Sequence, residues 1–320
     1  MTAAAHETIA AHKSPAAVSA HTENSRGLLC VSRPHLKATT ATRVSFAYPL
    51  RLFVPKLPQD PNTEAACTAF ISTYGGGLVS GDCVALDVDV RENAKLTVAS
   101  LAEGKVYRRR GKRERDEGTD VVPARMDVVC DVAPGASLLW VPEPTSLFQD
   151  SALASSLRVS LADDSASCML VDCVTAGRTE RERGTLGEEW AAASLDTRVD
   201  VSVGGKLVLS DHVRASAPHL RPRLGGAGAR TACLLVFLGT PFSEIASHAE
   251  AEARRLSQDS FQSLAPGSRA VFASSSRFHG GRGVCIRAAS TDVASLRSFV
   301  RHCLLPLVKV HGHGVLDLWP

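Results

Sequence analysis

VDVRENAKLTV (88–98), CDVAPGASLLW (130–140) and VDVSVGGKLVL (199–209) align with one another without a gap, and this repeat decides the class of fold. Each copy carries an aspartate (Asp89, Asp131, Asp200) inside a run that ends in Val90, Val132 and Val201. A turn follows, and a second apolar run opens at Leu96, Leu138 and Leu207. A looser fourth copy, VSLADDSASCML (159–170), has one more residue in its turn. Strand, turn, strand units of this kind cannot bury their apolar faces alone. They are expected to stack or pair into an extended, mostly antiparallel β structure.

Just upstream lies GGGLVSGD (75–82). Gly76 and Gly81 have the spacing of the front half of a phosphate-binding loop, but Asp82 stands where a lysine must reach the phosphates and Cys83 replaces the required hydroxyl. The following VALDVDV puts Val84, Leu86, Val88 and Val90 on one face, the period of a strand rather than of the helix a phosphate cradle needs. The glycines therefore serve a turn or a close backbone approach. Later in the chain, SEIASHAEAEARRLS (243–257) and TDVASLRSFVRHCLL (291–305) read as two helices. The first has a possible cap at Ser243, the second starts at Thr291 and Asp292, and Pro306 stops it. The Pro- and Gly-rich tract 215–230 reads as a loop.

At 320 residues and 44% hydrophobic, the chain can bury a large core. A net charge of +3 on 36 basic and 33 acidic residues argues against bulk nucleic-acid binding. The basic run from Arg108 to Arg115, between strands, reads as a solvated loop. Nine scattered cysteines without a CxxC point to a reducing compartment. Residues 1–26, rich in Ala, Ser, His and Thr, read as a disordered tail, with 27–320 as one β-rich domain. No stretch of 18 apolar residues exists to span a membrane.

Catalytic signatures are weak: there is no GxSxG elbow and no HExxH, and the 11 histidines are dispersed. His311 and His313 read as solvated, and Cys168 and Cys173 as small buried hydrophobes. More informative are carboxylates beside turns. Asp82 follows the triple glycine, Glu143 lies between two prolines, and Glu188 follows Gly187 with Trp190 close by. Each singly is a turn residue. Brought to one channel, they would offer oxygen ligands to a passing divalent ion.

The succession YPLRLFVPK (48–56), GGGLVSGD, GKVYR (104–108), PGASLLWVPEPTSLF (134–148), AGR (176–178), GEEW (187–190) and a late helix with LLPL resembles the urease accessory protein family UreD, also called UreH, over most of residues 28–310. Gly75, Gly76, Gly77 and Gly81 are its most specific piece, joined by Lys105, Tyr107 and Arg108, by Gly177 and Arg178, and by Trp190. The chain departs from the family pattern in SLAEGKVYR and in an insertion, TERERGTL (179–186). The resemblance implies a mainly β fold, a right-handed β superhelix of repeated hairpin units, with about two α-helices toward the C-terminal part. It also implies a cytoplasmic, non-enzymatic scaffold that binds apo-urease and, through a UreF-like helical protein, a UreG-like GTPase; a dimer of that heteromeric complex is one form it takes. It implies no tightly bound cofactor and a transient passage of Ni²⁺, for which Asp82, Glu143 and Glu188 are the candidate path. Neither nucleic acid nor membrane is expected as a partner. The rival expectation is a β-solenoid binding module with an unrelated partner and no metal role.

Overall fold

The computed structural model describes residues 26–34, 38–55, 66–108, 122–178, 188–262 and 271–307. The segment 1–25, most of the basic run, the insertion 179–186 with Gly187, and His311 and His313 lie outside the described residues. In chain order the strands are β1 (Gly27–Ser32), β2 (Thr40–Ser45), β3 (Leu50–Phe53), β4 (Cys67–Thr73), β5 (Cys83–Val90), β6 (Lys95–Ser100), β7 (Gly104–Val106), β8 (Ala124–Val132) and β9 (Ser137–Val141). They continue with β10 (Thr145–Leu147), β11 (Ala152–Leu161), β12 (Ser167–Thr175), β13 (Ser194–Val203), β14 (Lys206–Ser216), β15 (Thr231–Leu238), β16 (Val271–Phe278) and β17 (Gly283–Ser290). Three α-helices accompany them among the described residues: α1 (Leu220–Leu224), α2 (Ser243–Gln262) and α3 (Val293–Leu304).

Among the described residues the fold is mainly β, in two sheets that do not close into a barrel. One sheet has the order β14-β13-β11-β8-β5-β1-β2; the other runs β16-β17-β15-β12-β9-β6-β4-β3, with β7 and β10 attached beside β12. The chain shuttles between them. From β5 to β13 each long strand crosses to the opposite sheet and lies parallel to an earlier strand there.

This corrects the expectation of repeated antiparallel hairpins. Three of the four repeat copies are corners whose two strands belong to different sheets, β5 to β6, β8 to β9 and β11 to β12. The gapless alignment is in fact the parallel register. Val88 lies beside Cys130 and Val90 beside Val132, while Leu96 lies beside Leu138. The extra residue of the fourth copy is absorbed at its corner, since Val159 pairs with Cys130 but Cys168 pairs with Leu138. Only the copy at 199–209 is a hairpin, β13 to β14. The turn chemistry explains the difference. Gly204 and Gly205 both have positive φ (56° and 78°), as a two-residue type I′ hairpin demands. The corners instead stack on each other: Ser137 N donates to Ala94 O at 2.9 Å, and Ser167 N to Ala136 O at 3.0 Å.

The strand expected after the triple glycine is β5, with Val84, Leu86, Val88 and Val90 buried. The two expected helices are α2 and α3. Asp292 caps α3 by accepting from Ser295 N at 2.7 Å. Ser243 does not cap α2; its hydroxyl donates back to Thr240 O at 2.9 Å. The tract 215–230 is less of a loop than its prolines and glycines suggest, because β14 runs to Ser216 and the short α1 follows.

Two cores result. The first lies between the sheets and includes Leu96, Leu138, Val159 and Leu170. In the second, Leu139, Met169, Leu235 and Ile286 meet Phe242, Ile245, Leu296 and Val300 of the helical layer. Alternation along β12 serves both, so that Cys168 and Leu170 enter the first core while Met169 and Cys173 enter the second. Cys168 and Cys173 thus face opposite ways and cannot share a metal. Burial pushes the Cys168 thiol up to about 12.

Candidate functional site

The space between the sheets changes character along the strands. At the corners it is closed and apolar: Val90, Leu96, Val98, Cys130, Leu138 and Cys168 have no exposed surface. At the other end a cavity of about 150 Å³ opens, lined among others by Val84, Ser100, Glu103, Lys105, Glu143, Ser155, Asp172 and Thr197. The short β7 and β10 wall this end, and Leu78, just after the triple glycine, pairs with Val106 of β7.

The polar groups here are linked across the gap. Thr197 of one sheet donates to Asp172 Oδ2 of the other at 3.0 Å, and Ser155 Oγ donates to Thr197 Oγ1 at 2.8 Å. Asp172 keeps some accessible area although protein surrounds it, as the wall of an internal cavity would. Burial pushes its carboxyl above the usual range, against the Thr197 hydrogen bond that lowers it. Nearby, the Ser146 hydroxyl donates to Glu103 Oε1 at 2.5 Å and lies 2.7 Å from Thr175 Oγ1. Glu143 is buried. Its backbone N donates to Ser100 Oγ at 2.7 Å, and Arg297 Nη2 of α3 donates to its Oε2 at 2.5 Å. Among the described residues, no group of three or more His, Cys, Asp or Glu side chains is arranged to hold a metal ion.

Of the three acidic candidates, Glu143 lines this cavity, and Asp82 and Glu188 sit elsewhere. Asp82 closes the turn before β5, its Oδ2 accepting from Val79 N at 2.9 Å. Glu188 binds Arg178 Nη2 at 2.6 Å through Oε1 and Gln149 N at 3.0 Å through Oε2. Burial works to raise its carboxyl, but the Arg178 guanidinium and these amides together hold it below the usual range.

The glycine, KVYR, AGR and EEW pieces converge on one wall. Gly75, Gly76 and Gly81 have positive φ, and Tyr107 donates its hydroxyl to Gly75 O at 3.2 Å. Gly77 is held by space, since a Cβ there would lie 2.6 Å from the Tyr107 ring and 2.7 Å from Lys105 O. The Tyr107 ring meets Phe148 edge-on at 5.6 Å, and the Arg178 guanidinium lies 5.0 Å over Phe148. Arg108 pairs with Asp150 at 3.4 Å. Gly177 has φ 84°, and a Cβ there would fall 2.4 Å from Leu147 O. Trp190, itself at φ 52°, is buried and donates from Nε1 to Ala229 O at 2.8 Å.

Residues 26–317 match the family described as UreD urease accessory protein. The chain belongs to the UreD family. A UreD urease accessory protein of Sorangium cellulosum is 34% identical over 259 residues, 80% of this chain and 72% of that protein. One from Anaeromyxobacter is 30% identical over 256 residues, 79% and 77% of the two chains. UreD membership places the chain in urease maturation, among accessory proteins rather than catalysts. No helix among the described residues is long and apolar enough to cross a membrane.

Reading residues singly missed Asp172, Thr197, Ser155 and the Glu143–Arg297 pair. A signal was present in CMLVDCV, where one carboxylate interrupts an otherwise apolar strand.

Proposed function

We propose that this UreD-family chain is a non-enzymatic scaffold that binds apo-urease and, through a UreF-like helical protein, a UreG-like GTPase, and that Ni²⁺ travels through the cavity between its sheets toward urease. The observation that carries the reading is the group of hydroxyls and carboxylates, Glu103, Glu143 and Asp172 among them, set into the wall of an otherwise largely apolar cavity. Isolated oxygen ligands bind a divalent transition ion and release it, whereas a closed Cys and His set would retain it. Asp82 and Glu188 remain candidates for the same route outside the cavity. The alternation of the chain between two sheets whose central strands run parallel supports a right-handed β superhelix. The working domain is 27–320 after a tail, and the setting is cytoplasmic, with no resident cofactor. Exposed Phe46, Tyr48, Phe53, Tyr74 and Leu101 support a protein-contact surface, so the chain expressed without its helical partner is expected to aggregate.

The test replaces Glu143 by Gln and Asp172 by Asn, and separately Asp82 and Glu188 by Ala, in cells making urease and the accessory proteins. The expected result is a complex of normal size on a sizing column with urease of low nickel content. Full nickel content with both cavity carboxylates replaced would overturn the route. Loss of the complex would assign those residues to structure instead.

A further inference from the structure

Glu143 is poorly matched for a buried carboxylate. Its side chain is 7% exposed and receives a single-point contact from Arg297, where an arginine and a carboxylate ordinarily make two parallel hydrogen bonds. Glu143 Oε1 and Arg297 Nε are both buried without a hydrogen-bond partner among the described residues. Leaving such atoms unsatisfied is costly, so the pair is not an optimised structural bridge. Its origin is also unusual. Glu143 belongs to the cavity wall just after β9, whereas Arg297 belongs to α3, in the layer outside the second core, and reaches in from there.

We infer that Arg297 is a plug: its guanidinium occupies the place at Glu143 that a divalent cation in transit would take, and the carboxylate accepts the cation when the α3 side chain withdraws. A guanidinium and a divalent ion are alternative counter-charges for one carboxylate. With Arg297 seated, Oε2 is taken and the site is closed. With Arg297 gone, the carboxylate must take up either a proton or a cation, because a buried carboxylate stripped of its partner is strongly disfavoured, and a divalent ion in the cavity competes for that place. The bond from Glu143 N to Ser100 Oγ anchors the main chain of Glu143 in either state. The inference rests on the reading of the cavity as a cation passage, and adds to it a closed state controlled from the helical layer.

The test uses the full chain with nickel chloride alone as the probe. Equilibrium dialysis counts bound nickel, and thermal unfolding is followed with and without the metal. Arg297→Met removes the charge and keeps an unbranched apolar stem. It is expected to bind an additional nickel ion, about tenfold or more tighter than the wild type does at this site. It should also show a nickel-dependent rise in unfolding temperature that the wild type lacks. Adding Glu143→Gln should abolish both gains. A folded Arg297→Met chain that gains no nickel overturns the plug, and so does a gain that survives Glu143→Gln. If Arg297→Met does not fold, Arg297→Lys takes its place. It keeps a counter-charge on a shorter-reaching point donor, so no more than a small gain is expected, and a gain as large as that predicted for removing the charge would overturn the plug. These outcomes separate from the passage itself. Low urease nickel in Glu143→Gln alongside no gain in Arg297→Met leaves the passage standing without a plug; normal urease nickel in Glu143→Gln removes both.

Discussion

The two ends of the space between the sheets are built from the same strands, yet one is packed solely with apolar side chains and the other sets polar groups into an apolar wall. At the corner end, Val90, Val132 and Leu161 face Leu96, Leu138 and Cys168, all essentially without exposed surface. At the far end the same β11, β12 and β13 present Ser155, Asp172 and Thr197. On the proposed reading, stability and passage fall to different halves of the same strands. The corner end is closely packed, and that packing offsets the cost of the polar groups at the other end.

Substitutions at the two ends should therefore behave differently. The largest effect is expected for Leu138→Ala, which leaves a void between stacked corners; a loss of about 2–5 kcal/mol in denaturant unfolding follows from such cavities. A loss under about 1 kcal/mol there would mean that the corner end is not the stabilising half.

Next comes Gly177→Ala, behind the polar end. The new methyl would meet Leu147 O at 2.4 Å with φ at 84°, so a loss of about 1–3 kcal/mol is expected. An unchanged midpoint would show that this wall yields easily.

Two carboxylates should then respond to pH with opposite signs. Burial raises the folded-state value of Asp172, so its charge opposes folding once the pH exceeds the ordinary carboxylate range. Asp172→Asn should raise the unfolding temperature at pH 7, and the gain should fade on acidification as the native aspartate becomes neutral. The folded-state value of Glu188 is lowered, so it adds stability above the ordinary range and loses it as pH falls through the lowered value. Glu188→Gln should lower the unfolding temperature at pH 7, and the difference should again vanish in acid. Thermal scans across pH decide both; equal signs for the two variants would contradict the contrast. The smallest effect is expected for Thr197→Val, about 1 kcal/mol or less, because the hydrogen bond it removes borders a cavity.

Much of this arrangement is legible in the chain once the turns are read with the strands. The alignment of 88–98 with 130–140 is the parallel register itself, and only the 199–209 copy carries the Gly-Gly of a hairpin. Its pairing also shows why the alignment misleads. Val199 lies beside Leu157 rather than Val159, a slip of two residues that keeps the same face inward and so leaves the apolar pattern unchanged. Hydrophobic period alone cannot tell a corner from a hairpin, since both present the same alternation. The cavity was less legible for a different reason. Asp172, Thr197 and Glu143 are distant in sequence, and Arg297 lies 154 residues beyond Glu143, so only the crossing of strands between sheets brings them together.

The central claim, that nickel uses the polar end, is tested most directly by filling that end without touching a charge. Ser155→Met places a flexible apolar side chain in the cavity. With urease and the accessory proteins co-expressed, the account predicts a complex of normal size and a urease whose nickel content falls to a small fraction of wild type. A complex of normal size that delivers full nickel, with a crystal structure of the variant showing the introduced methionine side chain filling the cavity, would contradict it.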